Sequence, residues 1–318
     1  MLYGNPQGSV FALGNPFTRT PKAQFSPWGT PLRIVMDLLR KCLKLVIGEI
    51  TLKKFDYNNK VAIVTGASSG IGKALATELI TKYNCTVYAV ARNEERLNLT
   101  KQSLGEKYIP TPFDVCLEEN WQRLAQNLKN DGVSVDILIN CAGILPKFKQ
   151  FEKSNPSELK GVFDINFFSC VYSCHHLREC ISDKGMIINI SSASALCPFS
   201  GVSAYSSSKS ALDRFSTTLA YEYKDVSVTT VLPGFVKTDI MKNQNATQRD
   251  RSLIDKFSAN PAKITRKILK KARKRKKRII LGFDGRLLGF VYKHFPNLGP
   301  NIIGKLLKKS GLELFSDL

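Results

Sequence analysis

From Lys60 to about Gly234, short apolar runs alternate with segments of helical spacing. The runs Val61 to Thr65, Thr86 to Ala91, Asp136 to Asn140, Met186 to Ile190 and Ser227 to Leu232 are nearly continuous, the pattern of strands buried on both faces. Strands separated by helices imply βαβ units, and so an α/β fold: a single doubly wound parallel sheet with helices on both faces. Before it, Met1 to Pro31 is broken by Pro and Gly and holds no period, which predicts an arm. Leu32, Val35, Met36, Leu39, Leu43, Val46 and Ile47 then recur at helical spacing, with Arg33, Asp37, Arg40, Lys41 and Lys44 opposite. Such a helix either packs on the domain or lies in a membrane interface. After Pro233 come a polar stretch, Lys237 to Ser258, a basic helical segment from Pro261 to about Lys277, a short strand (Arg278 to Gly282) and a Gly/Pro-broken apolar tail. The expected division is an arm and helix over 1–59, the sheet domain over 60–260, and a helical extension over 261–318.

The 318 residues are 43% hydrophobic and 23% charged, which excludes fibrous and wholly disordered classes. The net charge of +21 is concentrated: sixteen basic residues lie between Lys263 and Lys309, where Asp284 is the only acid. That segment calls for an anionic neighbour. There are eight cysteines, but the first residues lack a basic region followed by an apolar run, so no secretory signal is expected. Free thiols and an intracellular setting follow, in the cytoplasm or on the cytosolic face of a membrane such as the endoplasmic reticulum. No stretch approaches the roughly 18 apolar residues of a spanning helix.

The first strand runs into Thr65-Gly66-Ala67-Ser68-Ser69-Gly70-Ile71-Gly72 and then a helix. Glycines there permit a tight turn and let backbone N–H groups at the helix start approach a diphosphate. The spacing Gly-x-x-x-Gly-x-Gly between strand and helix restricts the reading to a dinucleotide loop.

With this loop the sequence resembles the short-chain dehydrogenase/reductase family over about Lys60 to Thr238. Asp114-Val115 stands where the family has an Asp near the adenine. Asn140-Cys141-Ala142-Gly143 matches an Asn-Asn-Ala-Gly turn, with Cys141 the departure. Asn166, Ser192 and the pair Tyr205 and Lys209 match the catalytic set; Pro233-Gly234, Val236 and Thr238 match the segment beside the nicotinamide. The resemblance implies a Rossmann-type fold and a nicotinamide cofactor held by Gly66, Ser68, Ser69, Gly70, Ile71, Gly72, Asp114, Val115, Asn140, Ala142, Gly143, Tyr205, Lys209, Pro233, Gly234, Val236 and Thr238.

Arg92, twenty residues after Gly72, stands where an acid would hold the ribose 2′-hydroxyl of NAD. A guanidinium pairs instead with a 2′-phosphate, so NADP(H) is expected, with Ser68 as a second donor; Glu94 or Glu95 turned inward would select NAD(H). Tyr205 and Lys209, four apart on a helix, share a face. An ammonium beside the phenol would lower its pKa and make Tyr205 a general acid and base, with Ser192 donating to the same substrate oxygen. By resemblance, Asn166 fixes a helix kink and a water relaying protons to Lys209. His175 and His176 have only Glu179 as a near acid, and Cys170, Cys174 and Cys180 lack paired metal spacing, so no metal site is expected.

The run Lys270 to Arg278 has no interleaved aromatics, which disfavours nucleic acid. Basic residues beside the apolar series that follows fit a lipid-lying lid or the packed arm of a homodimer. The expected activity is reduction of a carbonyl, or oxidation of an alcohol, on a small lipophilic substrate of steroid, retinoid, sphingoid or fatty-acyl type. The alternatives are a 3-oxoacyl carrier-protein reductase and an inactive nucleotide-binding scaffold docked on membrane or RNA.

Overall fold

The computed structural model describes residues 37–38, 54–198, 200–241, 247–248, 250–252 and 258–309. Of the amphipathic helix expected over Leu32 to Ile47, only Asp37 and Leu38 are described, both helical and exposed. The preceding arm lies outside the described residues. The chain divides into two compact units, Met1–Thr51 and Leu52–Leu318, and the second holds everything that follows.

Seven strands form one parallel sheet in the order β3-β2-β1-β4-β5-β6-β7. They are β1 (Val61–Thr65), β2 (Thr86–Ala91), β3 (Tyr108–Pro112), β4 (Val135–Asn140), β5 (Ile181–Ile190), β6 (Ser227–Pro233) and β7 (Arg278–Leu281). The helices accompanying the sheet include α1 (Gly70–Tyr83), α2 (Glu94–Leu104), α3 (Glu118–Asn130), α4 (Pro156–Phe163), α5 (Ser169–His176), α6 (Ser203–Glu222), α7 (Pro261–Ala272), α8 (Phe283–His294) and α9 (Gly299–Lys309). The expected doubly wound fold is present. Strand order reverses between β1 and β4, so the loops leaving their carboxyl ends diverge and open a crevice.

Period-2 alternation divides the core between the faces. Ala62, Val64, Ile137, Ile139, Met186 and Ile188 pack under Leu75, Leu79, Ile264, Ile268 and Leu269 of α1 and α7. Ile63, Leu138 and Ile187 face Trp121, Leu124, Leu177 and Leu219 on the other side.

Three features depart from the sequence expectation. Strand β3, Tyr-Ile-Pro-Thr-Pro, is absent from the apolar runs because it carries two prolines; it is a terminal strand of the sheet, where a missing N–H costs least. Strand β5 begins at Ile181, ahead of the apolar run, since its first half holds the exposed Asp183 and Lys184. The third concerns the extension. Helix α7 buries Ile264, Ile268, Leu269 and Ala272, and β7 pairs with β6, so residues 261–281 are part of the sheet domain. Phe55 and Tyr57, assigned above to the arm, belong to the same core: the Tyr57 hydroxyl donates to Leu269 O at 3.0 Å and Phe55 N–H to Arg273 O at 2.7 Å. The basic run is correspondingly engaged within the molecule. Arg278 forks onto the Asp213 carboxylate, Arg275 donates to Lys184 O at 2.7 Å, and Lys277 lies over the Tyr221 ring.

Candidate active site

A cavity of about 460 Å³ opens at the carboxyl ends of β1, β4, β5 and β6. Of the expected residues it is lined by Gly66, Ser69, Gly70, Ile71, Gly72, Ala142, Gly143, Ser192, Tyr205, Lys209, Pro233, Gly234, Val236 and Thr238.

The glycine turn has its shape for a steric reason. Gly66 has φ +66°, and a Cβ on Gly72 would overlap the Gly66 carbonyl, so α1 can start this close to β1 only with glycine there. Thr65, which the motif reading passed over, ties this turn to the next: its Oγ1 accepts the N–H groups of both Cys141 and Ala142 at 2.9 Å. The Cys141 departure is therefore carried by backbone bonds, and burial pushes its thiol up to about 12.

Tyr205 and Lys209 lie one turn apart on α6 and both line the cavity. Lys209 is buried and donates to Ile190 O at 3.0 Å; burial pulls its ammonium pKa down. The expected lowering of the Tyr205 phenol is reversed here. Burial, the largest effect, pushes it up, against a hydrogen bond from Ser192 that pulls it down. The phenol is thus held protonated, the state that can donate. Ser192 follows β5 and accepts Ser194 N–H at 3.1 Å, so its own O–H is the group that donates to the Tyr205 oxygen.

Asn166 lies in a π-helical turn, Asp164–Phe168, between α4 and α5, where the kink was expected. Its side chain is fully buried and faces backbone: it accepts Ile144 N–H at 2.8 Å and donates to Ile144 O at 3.0 Å and Ser208 Oγ at 3.1 Å. It braces the turn after β4 and does not line the cavity. Asn140 does not either. Its amide donates to Asn189 Oδ1 at 2.9 Å and accepts from Ser173 Oγ, a buried polar link between β4 and β5. Val115 is committed to the apolar core beside Trp121. Arg92 and Asp114 lie outside the cavity wall, facing each other at 3.8 Å, with Arg92 largely exposed; Ser68 is half-buried and likewise off the wall.

Sequence reading missed Arg96, one turn into α2, which lines the cavity. It also missed the apolar wall, Leu145, Phe148, Val202, Phe235, Ile240 and Leu288, and the acid Asp284 among them. Of these only Phe235 lies within a local motif, at one of its variable positions. His176 pairs with Glu118 at 2.7 Å on the surface, whereas Glu179, the acid expected near it, pairs with Lys129.

A family model described as short chain dehydrogenase matches residues 60–249. The chain is 36% identical over 206 residues to 11-beta-hydroxysteroid dehydrogenase-like 2 of Arabidopsis thaliana, covering 61% of this chain and 65% of that protein. It is 31% identical over 186 residues to carbonyl reductase family member 4 of Danio rerio, covering 57% and 78%. A short-chain dehydrogenase from Streptomyces avermitilis superposes with a TM-score of 0.66 at 26% identity, over 79% of this chain and 98% of that one. The match thus spans just under two thirds of the first of these proteins.

Proposed function

The chain belongs to the short chain dehydrogenase family, and we propose that it moves hydride between NADP(H) and a carbonyl or alcohol carbon of an apolar substrate. One observation carries the reading. A half-buried Tyr205, hydrogen-bonded by Ser192 and one turn from Lys209, shares a single cavity with the glycine turn and with a wall of Leu145, Phe148, Val202, Phe235, Ile240 and Leu288.

The residues fit a dinucleotide. Ser69 precedes α1 without capping it through its side chain, so the first N–H groups of the helix stay available to a diphosphate. At the ribose end, Arg92 and Arg96 offer guanidinium groups for a 2′-phosphate, while Asn93 spends its side chain capping α2 at Arg96 N. Glu94 and Glu95 are exposed in the first turn of α2. A nicotinamide held there would supply or accept the hydride. In reduction, Tyr205 gives its proton to the substrate oxygen and Ser192 donates a second hydrogen bond to it. Lys209 is held by the Ile190 carbonyl with donors to spare for ribose hydroxyls. The hydroxysteroid and carbonyl-reducing names of the relatives support a lipophilic ketone or alcohol as substrate. Absorbance of the reduced nicotinamide, followed across steroid, retinoid, 3-oxoacyl and sphingoid ketones with each cofactor, tests this. Oxidation of NADPH with none of them would overturn it.

We further propose that the α8 surface lies on an anionic bilayer. Phe283, Leu287 and Phe290 form one exposed stripe of α8, continued by exposed Phe295, Leu298 and Ile302. Exposed Arg286, Lys293, Lys305 and Lys309 flank them, and the segment's one acid, Asp284, points inward. Each cation near an anionic lipid surface is worth about 1 kcal/mol. Among the described residues no helix is long and apolar enough to cross a membrane.

A further inference from the structure

Helix α8 lies beyond the stretch the motifs cover, yet it forms one side of the cavity through Asp284 and Leu288. Its inner face is made of small residues. Gly285 packs on Ala193, where a Cβ would come within 3.2 Å of the Ala193 Cβ, and Gly289 packs on Leu196, with a Cβ 3.3 Å from its Cδ1. Ala193 and Leu196 belong to the turn that begins at Ser192. The helix therefore presses directly on the element that carries the Ser192 hydroxyl.

Its first turn grips the other side of the cavity. The Asp284 carboxylate accepts Phe235 N–H at 2.7 Å, and the neighbouring Gly234 N–H pairs with Leu281 O at 2.9 Å. A Cβ on Gly234 would overlap that carboxylate, so the Pro233-Gly234 turn and Asp284 are fitted to each other.

We propose that Asp284 is a positioning residue: by holding Phe235 N–H it latches α8 onto the Pro233–Phe235 turn, and through Gly285 and Gly289 it sets the Ser192 turn against the substrate. The proposal rests on the reading of the cavity as a carbonyl-reducing site. The latch holds the Ser192 turn and the Pro233–Phe235 turn, which by resemblance flanks the nicotinamide, so it governs turnover of apolar substrates and leaves the diphosphate's hold on the glycine turn alone.

The test compares Asp284→Ala with Asp284→Asn in the full chain. Losing a hydrogen bond to a charged acceptor is expected to lower kcat/KM for an apolar ketone by about tenfold or more, and Asn, whose amide oxygen can accept the same N–H, to recover most of it. NADPH affinity, read from the fluorescence of the bound nucleotide, falls less than kcat/KM, because the diphosphate's hold on the glycine turn is untouched. Unchanged kcat/KM in Asp284→Ala, no recovery in Asp284→Asn, or a loss of NADPH affinity as large as that of kcat/KM would each overturn the latch. Hydrogen exchange of the Phe235 amide gives a readout independent of activity: faster exchange in Asp284→Ala than in the parent and Asp284→Asn supports the latch, and equal rates overturn it. If the parent protein reduces no carbonyl at all, the functional reading fails and the exchange measurement alone decides the latch.

Discussion

The Ser192 hydroxyl accepts the backbone N–H of Ser194 at 3.1 Å. A hydroxyl has one proton and two lone pairs, so this bond occupies an acceptor site and leaves the proton for a neighbour. The three-residue turn Ala193–Ala195 thereby aims a donor at the Tyr205 hydroxyl. Ser192→Ala should lower kcat for ketone reduction by about 10²-fold, the range for one lost donor to a developing oxyanion, with little change in NADPH affinity. Steady-state kinetics and nucleotide titration together check this; an unimpaired kcat would remove Ser192 from the mechanism.

Tyr205→Phe keeps the ring and removes the proton. Turnover should fall by about 10²–10⁴-fold while NADPH still binds, measured by nicotinamide absorbance and nucleotide fluorescence. Retention of near-parental turnover is the outcome that contradicts general acid catalysis by this residue.

Under the proposed function two arginines, not one, offer guanidinium groups to a 2′-phosphate. Arg92 shares its charge with Asp114 at 3.8 Å, whereas Arg96 reaches the cavity wall. The ratio of kcat/KM for NADPH over NADH should drop in Arg92→Asp and in Arg96→Ala, and drop furthest in the double variant. Unchanged ratios in all three would mean that neither guanidinium reads the phosphate.

Thr65 Oγ1 accepts two buried N–H groups, from Cys141 and Ala142. Thr65→Val keeps the shape and strands both donors, which should lower the unfolding free energy by about 2–4 kcal/mol. Urea denaturation followed by circular dichroism measures it; a change below about 0.5 kcal/mol would show that the two turns are held by other means.

The lipid reading separates charge from apolar area. Vesicles containing phosphatidylserine should sediment the protein, salt should weaken this, and a residue of binding should survive screening. Replacing Phe283, Leu287 and Phe290 together by Ser should remove that residue. Truncation after Asn260 is no test, since it deletes the buried face of α7 and strand β7. A protein that ignores vesicles, and whose triple variant turns a dimer into a monomer in sedimentation velocity, would assign the stripe to a second copy of the chain.

Much of this molecule is written in short-range pattern. Continuous apolar runs specify β1, β2, β4 and β6, and the Gly66, Gly70 and Gly72 spacing specifies the turn, because both depend on residues a few positions apart. The one-turn offset of Tyr205 and Lys209 is equally local. Tertiary structure alone decided the rest. Strand β3 is invisible to apolar periodicity because Pro110 and Pro112 are tolerated only once an edge has been assigned to it. The basic run from Lys270 to Arg278 reads as a free polycation until Asp213, Tyr221 and the Lys184 carbonyl, all far off in sequence, engage three of its members. Asn140 and Asn166 carry motif positions, but the packing of β4 against β5 and of α4 and α5 around a π-helical turn directs their amides into the protein. The direction of the Tyr205 shift follows from burial, which depends on every wall of the cavity at once. Asp284 reaches Phe235 across 49 residues of chain, and no local spacing encodes a contact that exists only after β7 has paired with β6 and carried α8 to the mouth of the cavity.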